Sequence, residues 1–464
     1  MYIKTVHKKT LLAKSLFKEA EFDNILKCVH CGLCLDYCPT YRELGDEKDS
    51  PRGRLYLMRG LWEGELELNP SVIEPLNRCL DCRACESACP SKVPYGELLE
   101  KTRGIILEHM PQSFKEKVLR KIFLKNIFCS TNLLILVSRF IKIYVASGLP
   151  NLFTKTFLGK LVPKSFVFQQ FLIPNCSGES FKRKHSDGII LPFYKSEKVG
   201  KNLKKLKKNT PKVGMFSGCI MDVSETEIHY STLTLLRYLG CEVIVPEDQS
   251  CCGALHVHSG DRKTSRELAI NNYRVFKSHS LDSIITNAAG CGAQLKEYHL
   301  LFSREDLKNQ KNFLSFEKKI VDIMEFLFIY SDLLKNLNWR KDRDTVIYDS
   351  PCHLIHAQKV DKNPQKLLSS LPGVNLVTLE ESDWCCGSAG IYNLTQPVLS
   401  KEVLNRKTNS IIKALSEHSN ATTIVTGNPG CLYQIRAGIR SKNIDLRVIH
   451  PVVYLANRLK KNES

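Results

Sequence analysis

The sequence predicts an α+β protein of several domains: a mostly helical, cysteine-rich N-terminal domain, followed by an α/β domain that is duplicated with pseudo-symmetry. Two observations lead to this prediction. A four-cysteine run occurs twice near the N-terminus. In the second half of the chain, a pattern of one cysteine, then Cys-Cys-Gly, then another single cysteine also occurs twice. We expect the helical domain at 1–108, a basic amphipathic helical linker at 109–210, the first repeat at 211–340 and the second at 341–464.

Composition indicates a folded protein with an acidic partner. The chain has 464 residues, of which 43% are hydrophobic and 25% charged, typical of globular proteins with two or three domains. The net charge of +19 favours an anionic lipid surface or an acidic subunit as partner. Because the chain has no motif of interleaved aromatic and basic residues, no nucleic acid is expected to bind.

The cysteine content indicates a reducing compartment. There are nineteen cysteines, and the first twenty residues are basic without the continuous apolar core of a secretory signal. Such a chain uses its thiols for metal chemistry rather than for disulfides. We expect a cytoplasmic protein, and its basic charge leaves open peripheral contact with the inner face of the cytoplasmic membrane.

The two N-terminal runs have the spacing with which thiolates hold [4Fe–4S] clusters. Both read C-x2-C-x2-C-x3-C-P, in which the fourth cysteine serves the cluster of the other run. Disulfides or zinc sites would not explain the same run twice, each closed by proline. We therefore expect one cluster on Cys28, Cys31, Cys34 and Cys89, and a second on Cys79, Cys82, Cys85 and Cys38.

Helices are expected on either side of the first run. A short helix should cover Glu21 to Leu26, and a second should begin at Pro51 with Ser50 as its cap. The arginines of this second helix have two interpretations that the sequence leaves open. Arg52, Arg54 and Arg59 could form a solvated face, or they could compensate the negative charge of thiolate-ligated clusters.

The linker is rich in basic and apolar residues, but none of its unbroken apolar runs is long enough to cross a bilayer. Between Pro111 and Pro174 the only acidic residue is Glu116, and the longest apolar run is Leu133 to Val137, far below the roughly 20 residues of a spanning helix. Amphipathic contact with a membrane, packing on a partner and a plain linker all remain open. The lysine run from Lys195 to Lys212 is expected to be solvated.

The second half of the chain is an internal duplication. Corresponding cysteines of the two copies are 133 to 140 residues apart. Each single cysteine and each Cys-Cys-Gly motif follows a strand-like run, and helical patterns lie between these runs. This alternation predicts parallel strands, with the cysteines at their carboxyl ends. The strands are expected at 213–216, 242–245, 283–286, 346–348, 374–379 and 422–426, and the helices at 225–239, 262–278 and 397–416.

The repeated cysteines are expected to have a metal or redox role. Three loops in each copy carry cysteines, two of them adjacent, which packing of a hydrophobic core does not explain, and thiolates are soft metal ligands. They are Cys219, Cys251, Cys252 and Cys291 in the first copy and Cys352, Cys385, Cys386 and Cys431 in the second. A purely structural relic of duplication is the alternative. We expect no metal ligation by His256, His258, His353 or His356, and ordinary thiols at Cys129, Cys176 and Cys241.

No catalytic residue is expected on this chain. It has neither G-x-G-x-x-G after a strand nor G-x-x-x-x-G-K-[ST], so no nucleotide or dinucleotide site is indicated. A protein with clusters and no organic cofactor moves single electrons and cannot take a hydride by itself.

The sequence resembles the iron–sulfur subunit of glycolate oxidase over nearly its whole length. The segments that carry the resemblance are Cys28 to Arg42, Leu44 to Glu47, Ser50 to Arg54, His356 to Lys359 and Cys385 to Gly390. The resemblance implies a complex with two flavin-domain subunits that oxidises glycolate, and D-lactate, to the 2-oxo acid at FAD. It also implies that electrons pass through this subunit to a membrane quinone, and that the two cubane clusters sit on the eight N-terminal cysteines.

The repeats containing Cys-Cys-Gly (CCG) resemble those of heterodisulfide reductase, where they hold non-cubane clusters. That family ends each copy with C-x-x-C, whereas this chain has Gln294 and Gln434 at the last positions, so a smaller additional centre, or none, is implied. A relay for lactate or glycerol 3-phosphate, or a catalytic thiol–disulfide role for the CCG domain, are the alternatives to the glycolate relay.

Overall fold

The computed structural model describes residues 19–186, 188–193, 211–303 and 306–460. It confirms the predicted fold class, with a helical N-terminal part followed by two α/β units. The lysine run at 195–212 lies outside the described residues, except for its last two positions, and so does most of the N-terminal stretch without a signal.

The N-terminal part consists of short helices around the cysteine runs. Ser50 caps one of them by accepting a hydrogen bond from the Gly53 N–H, with Pro51 in the first turn, as predicted. Met58, Leu76 and Leu99 are fully buried between the helices. The helices are Glu19–Leu26, Pro39–Leu44, Pro51–Glu63, Pro70–Arg78, Ala84–Ser87 and Tyr95–His109, with a 3-10 turn at Glu47–Asp49.

A segment of further helices follows and leaves many apolar side chains in solvent. Ser130 caps its longest helix, in which Leu134 and Ser138 face the protein. No described helix alone is long and apolar enough to span a membrane; one consecutive pair, Arg120–Ile127 and Thr131–Ala146, reaches that length and composition only when combined across a 114° bend. The helices are Phe114–Leu119, Arg120–Ile127, Thr131–Ala146, Leu149–Lys155, Phe157–Lys160, Lys164–Leu172 and Phe181–Lys184.

The first α/β unit has a five-stranded sheet in the order β1-β3-β2-β4-β5. Its strands are β1 (Ile189–Ile190), β2 (Lys212–Phe216), β3 (Glu242–Ile244), β4 (Ser283–Thr286) and β5 (Ile320–Asp322). Strands β2 to β5 are parallel, whereas β1 pairs antiparallel with β3. β1 is a strand within the stretch expected to be a helical linker, and it covers the edge of the sheet.

The second α/β unit repeats this arrangement with four parallel strands in the order β7-β6-β8-β9. They are β6 (Asp344–Tyr348), β7 (Val374–Thr378), β8 (Ala421–Val425) and β9 (Arg447–Ile449). The central strands β2 and β6 are buried along nearly their whole length, as expected for parallel sheets covered on both faces. In both units the central strand (β2 or β6) lies between the strand before the Cys-Cys-Gly turn (β3 or β7) and the strand before the last cysteine (β4 or β8).

Helices cover the sheets and join the two units into one core. The helix Thr226–Tyr238 of the first unit packs on the C-terminal helix Pro451–Arg458. Met215 of β2 and Ile347 of β6 belong to the same cluster of buried side chains. The helices of the first unit are Ile220–Val223, Thr226–Tyr238, Ala254–His258, Arg262–Lys277, Ala289–Leu295, Tyr298–Leu301, Leu307–Glu317, Ile323–Ile329 and Ser331–Leu334; those of the second are His353–Ala357, Lys362–Ser369, Tyr392–Thr395, Pro397–Glu417, Pro429–Ser441 and Pro451–Arg458.

Candidate metal centres

The first N-terminal run surrounds a small cavity near the surface. The cavity is lined by the four cysteines that the spacing assigns to one cluster, Cys28, Cys31, Cys34 and Cys89, and also by Cys85. Arg52 borders it and donates from Nη1 to the His30 carbonyl oxygen at 3.3 Å. Because Cys31 is exposed, this is the outer of the two N-terminal sites.

Both runs bend the chain through the same backbone conformation around their second cysteine. The residues before and after it have positive φ in each run: 55° at His30 and 84° at Gly32, then 52° at Asp81 and 62° at Arg83. Left-handed φ costs a residue with a side chain roughly 1–3 kcal/mol, and it persists only where the surroundings require it. The repeated conformation wraps three thiols around one point, which fits a cubane cluster at each run.

The second N-terminal site is deeper than the first. Cys38, Cys79 and Cys82 are buried, and the Tyr95 hydroxyl donates to Cys79 Sγ at 3.5 Å. Burial raises the pKa of Cys82 and Cys85 well above the usual thiol value, and neighbouring cysteines, Cys38 and Cys79 among them, raise it further. Thiols in this setting ionise when a metal ion binds them, so the donor set fits a buried iron–sulfur centre.

Arg54 resolves the two interpretations of the arginines on the helix Pro51–Glu63. Its side chain is fully buried, with Nη1 3.9 Å from Cys38 Sγ and Nη2 3.1 Å from Asp49 Oδ1. Burial disfavours the charged guanidinium, but Cys79, Tyr95, Cys38 and Asp49 together raise its pKa. Arg54 therefore places a fixed positive charge beside the inner site, whereas Arg59 forms a partly solvated pair with Glu63.

The repeated cysteines form two matching sets. In each repeat the loops that carry them follow the carboxyl ends of three adjacent parallel strands, as predicted: β2, β3 and β4 in the first and β6, β7 and β8 in the second. The thiols neighbour one another in the same order in both sets, and each affects the pKa of the next: Cys219, Cys251, Cys252 and Cys291 in the first, and Cys352, Cys385, Cys386 and Cys431 in the second.

Two thiols of the second set lie in direct contact. Cys386 Sγ and Cys431 Sγ are 3.4 Å apart, and all nineteen cysteines are free thiols. Hydrogen bonds between the thiols, and then burial, raise the pKa of Cys219, Cys385 and Cys431 well above the usual thiol value. Four soft donors converging in this way fit a metal centre in each repeat.

The glycine of each Cys-Cys-Gly turn is required by its backbone. Gly253 and Gly387 have φ of 89° and 86°, a region that residues with a side chain rarely adopt. A Cβ would come within 2.5 Å of Ser265 Oγ at the first glycine and within 2.5 Å of the Ser400 carbonyl oxygen at the second. The turn that presents the paired cysteines is thus the same in both repeats.

The cysteine sets of the two repeats are joined through Asn428. Its Nδ2 donates to Cys431 Sγ at 3.6 Å, and its Oδ1 accepts from the N–H of Gly290 at 3.1 Å. Gly290 directly precedes Cys291. One side chain therefore links the last cysteine of one set to the loop that carries the last cysteine of the other.

Gln434 occupies the position at which the heterodisulfide reductase pattern has the second cysteine of C-x-x-C. Its side-chain amide forms hydrogen bonds to residues other than the cysteines. Its Nε2 donates to Ser400 Oγ at 3.0 Å, and its Oε1 accepts from Asn393 Nδ2 at 2.9 Å. Since the amide is buried and hydrogen-bonded within the second repeat, it does not extend the cysteine set. The second repeat thus brings together four cysteine thiols and no fifth donor from Gln434.

The inner N-terminal site abuts the second repeat. Cys82 and Cys385 belong to one cluster of buried side chains, together with Leu80, Cys352 and Tyr392. The Tyr392 hydroxyl also donates to the Arg78 carbonyl oxygen at 2.7 Å. The outer site, the inner site and the second-repeat cysteines thus lie in series from the surface to the interior.

A buried charge network that no local sequence pattern predicts connects the N-terminal part to the first repeat. Arg83 Nη1 lies 2.6 Å from Glu297 Oε1, and His258 Nδ1 lies 3.0 Å from Asp81 Oδ2 and 3.1 Å from Glu100 Oε1. Burial opposes a charge on His258, but the hydrogen bonds to the two carboxylates raise its pKa to about 9. These residues are far apart in sequence, so no local pattern marks them.

The other histidines near the cysteines pack between parts of the fold. His256 Nε2 lies 2.9 Å from the Leu124 carbonyl oxygen, and His356 Nδ1 lies 2.9 Å from Ser87 Oγ. His353 Nδ1 lies 3.6 Å from Cys352 Sγ, beside the second set. His256 and His356 therefore connect the two repeats to the helical part of the chain by hydrogen bonds.

Of the remaining thiols, Cys129 is closest to a candidate centre. With Cys219 and Cys251 it lines a cavity of about 260 Å³, and its Sγ lies 3.5 Å from His256 Nε2. Sequence spacing gave no sign of this, because Cys129 belongs to the helical segment. Cys241 is completely buried in the shared core, as an ordinary apolar thiol would be.

Comparisons with known proteins agree with this geometry. A 4Fe-4S dicluster domain model matches residues 24–93, and a cysteine-rich domain model (CCG) matches residues 213–296 and 346–436. The chain is also similar to lactate utilization protein A of Geobacillus, with 29% identity over 53% of this chain and 100% of that protein.

Two relatives align over nearly their whole length. The probable glycolate oxidase iron–sulfur subunit of Bacillus subtilis is 35% identical over 96% of this chain and 97% of its own. The glycolate oxidase iron–sulfur subunit of Escherichia coli is 31% identical over 89% of this chain and 90% of its own. With both cysteine regions in place and this coverage, the chain belongs to the family of glycolate oxidase iron–sulfur subunits.

Proposed function

We propose that this chain is the electron-transfer subunit of a glycolate dehydrogenase complex. Glycolate, and D-lactate, would be oxidised to the 2-oxo acid at FAD on two partner flavin subunits, and the electrons would leave to a quinone. The proposal rests on membership of the family and on the cysteine sets of this chain. When bound, iron–sulfur clusters accept and donate single electrons at potentials set by the surrounding protein.

One observation carries the proposal: the cysteine sets lie in series. Cys31 is exposed at the outer site, and Cys82 of the inner site packs against Cys385 of the second repeat. Asn428 then connects the second-repeat cysteines to the first repeat. A series of soft-ligand sites from the surface to the interior is what a relay requires, and we propose that all sixteen of these cysteines are ligands.

The residues around the sites would influence the potentials of the clusters. Arg54 brings a positive charge to within 3.9 Å of Cys38 Sγ, and the Tyr95 hydroxyl donates to Cys79 Sγ. Positive charge and hydrogen bonds to sulfur stabilise the reduced, more negative state of a cluster. These contacts stabilise the reduced state of the inner cluster, whereas Arg52 contributes a positive charge at the border of the outer site.

We further propose that the helical segment after residue 110 lies on the inner face of the cytoplasmic membrane. Between residues 111 and 174 there are ten lysines and arginines and one acidic residue. Large apolar side chains project from the same segment, among them Leu133, Leu136, Phe140 and Ile143 on one face of the helix Thr131–Ala146. Basic, amphipathic helices of this kind bind anionic lipid surfaces.

The complex purified with and without this chain tests the function. Without it, the flavin subunits should retain FAD and reduce an artificial flavin acceptor with glycolate, but they should fail to reduce a soluble quinone analogue. Adding back the separately purified, cluster-loaded chain should restore quinone reduction. Normal quinone reduction without the chain would contradict the proposal.

A further inference from the structure

A cavity of about 400 Å³ lies where the three parts of the fold meet. One wall comes from the N-terminal helices Pro70–Arg78 and Tyr95–His109. The others come from the residues that follow each Cys-Cys-Gly turn, 255–259 in the first repeat and 389–396 in the second. A cavity of this size at a junction of domains is typical of a binding site for a small molecule.

The cavity borders a cysteine of the inner site. Cys79 lines it directly, next to Leu80, so a bound molecule would touch the ligand shell of the buried centre. Apolar side chains, including Ile106 and Ile391, and the ring of Tyr392 line the cavity beside polar and charged side chains such as Arg103. Because the Arg103 guanidinium already donates to backbone carbonyl oxygens, the apolar side chains are left to contact a flat, uncharged ring.

His258 supplies a polar group with a fixed orientation. It lines the cavity, and its Nδ1 is held by Asp81 and Glu100 at 3.0 and 3.1 Å. Its other ring nitrogen, Nε2, takes no part in these contacts to the carboxylates. With Nδ1 occupied by carboxylates, Nε2 is left to donate to, or accept from, a molecule in the cavity.

The cavity also reaches the start of the basic, apolar segment. Met110, Gln112 and Arg120 border it, and the large apolar side chains of Phe114 and Val118 are exposed close by in sequence. A ligand that arrives from a lipid surface in contact with this segment would therefore meet the cavity first.

We propose that this cavity is the quinone site of the chain, with the ring between Leu80, Ile106 and Ile391 and one carbonyl oxygen accepting a hydrogen bond from His258 Nε2. This inference rests on the proposed function, because that function supplies the electrons. Oxidation of one hydroxy acid releases two electrons and two protons. Reduction of one quinone to quinol consumes two of each: both C=O groups become C–OH, the electrons come from the relay, and the protons come from His258 and water.

The inference is tested on the whole complex with a photoreactive azidoquinone, and the labelled peptides are located by mass spectrometry. Label is expected in 103–112, 255–259 or 389–396. Leu107→Trp and Ile391→Trp fill the cavity and should lower both labelling and the ratio of quinone to ferricyanide reduction by roughly tenfold, equivalent to about 1.4 kcal/mol of binding free energy. Ile329→Trp, at an exposed position of the first repeat, is the matched control and should change neither.

His258→Gln removes the imidazole and its titratable proton without filling the cavity. It should raise the KM for quinone by about three- to tenfold, the effect of one lost hydrogen bond, with the iron content unchanged. If quinone reduction persists in both tryptophan variants and the label lies elsewhere, the site is wrong while the proposed function stands. If the intact complex reduces ferricyanide but no quinone, both are wrong.

Discussion

Arg54 lies with its guanidinium against the thiol of Cys38, 3.9 Å from Nη1 to Sγ, in a fully buried position. The same side chain holds Asp49, the Thr40 hydroxyl and the carbonyl oxygen of Pro75. One arginine thus combines the electrostatics of the inner site with the packing of the helices that form it.

Arg54→Met should destabilise the N-terminal part strongly. Removing one partner of a buried ion pair costs about 3–5 kcal/mol, because the other charge stays buried; Arg78, at 2.8 Å from Asp49, would reduce that cost. The denaturant midpoint for loss of cluster absorbance, measured without oxygen, reports the change. Arg59→Met, which breaks an exposed pair, should shift it little, and equal shifts in the two variants would contradict the role of Arg54.

The two N-terminal sites predict about eight irons per chain from two cubane clusters. Cys38→Ser should lose between about one and four of them, because three ligands remain at the inner site. Cys241→Ser is the control, since this thiol is equally buried but lies in the shared core away from the clusters. Iron quantitation with electron paramagnetic resonance measures both, and an unchanged signal in Cys38→Ser would show that Cys38 is not a ligand.

The Cys-Cys-Gly repeats should hold additional metal. We expect iron clearly above eight per chain in anaerobic preparations, because each repeat brings four cysteines, which are soft ligands, to the carboxyl ends of its parallel strands. Cys386→Ser should reduce this excess and leave the signals of the N-terminal clusters intact. A wild-type chain with eight irons and no more would show that the repeats are empty.

The stability of the chain should depend on pH through His258. Its pKa is raised to about 9 in the fold, from about 6.5 when unfolded. The stabilisation is therefore complete below about pH 6.5 and is lost as the pH rises through about 9. The thermal midpoint should fall over this range in the wild type and fall less in His258→Gln. His109→Gln, at an exposed position, should behave as the wild type does.

Membrane contact can be tested with vesicles that contain anionic lipid. Phe140→Glu and Ile143→Glu place negative charge on the exposed apolar face of the helix Thr131–Ala146. Each should weaken co-sedimentation with the vesicles several-fold, because apolar area and electrostatic attraction are both reduced. Ile329→Glu makes the same change at an equally exposed position of the first repeat. If all three variants bind alike, the segment is not the membrane-facing surface.

Local pattern was enough to predict much of this fold. The six strands expected before the repeated cysteines are present, with ends within one or two residues of the predicted ones. The same holds for the helices Thr226–Tyr238, Arg262–Lys277 and Pro397–Glu417. Three strands were missed: β1, β5 and β9 have only two or three residues each, too few for a periodic pattern. Their pairing is decided by neighbouring strands rather than by their own sequence.

The site was predictable where ligand spacing is repeated and unpredictable where it depends on distant partners. The exchange of Cys38 and Cys89 between the runs stays a prediction that the cavity lining supports. By contrast, the arginines of one helix differ only in which way they face, so the sequence could not distinguish the buried Arg54 from the partly exposed Arg59. The pairing of His258 with Asp81 joins residues on different parts of the fold.

The predicted exchange of the fourth cysteines has a consequence for cofactor assembly. Cys89 lines the cavity of the first run, and Cys38 raises the pKa of Cys85 in the second; with the exchange, neither run completes its own site. Filling one site fixes a ligand that the other needs, which makes loading cooperative. Oxidative damage at the exposed outer site would likewise loosen the inner one. A cell under oxygen stress should then contain fully loaded and empty subunits, with few that are half loaded.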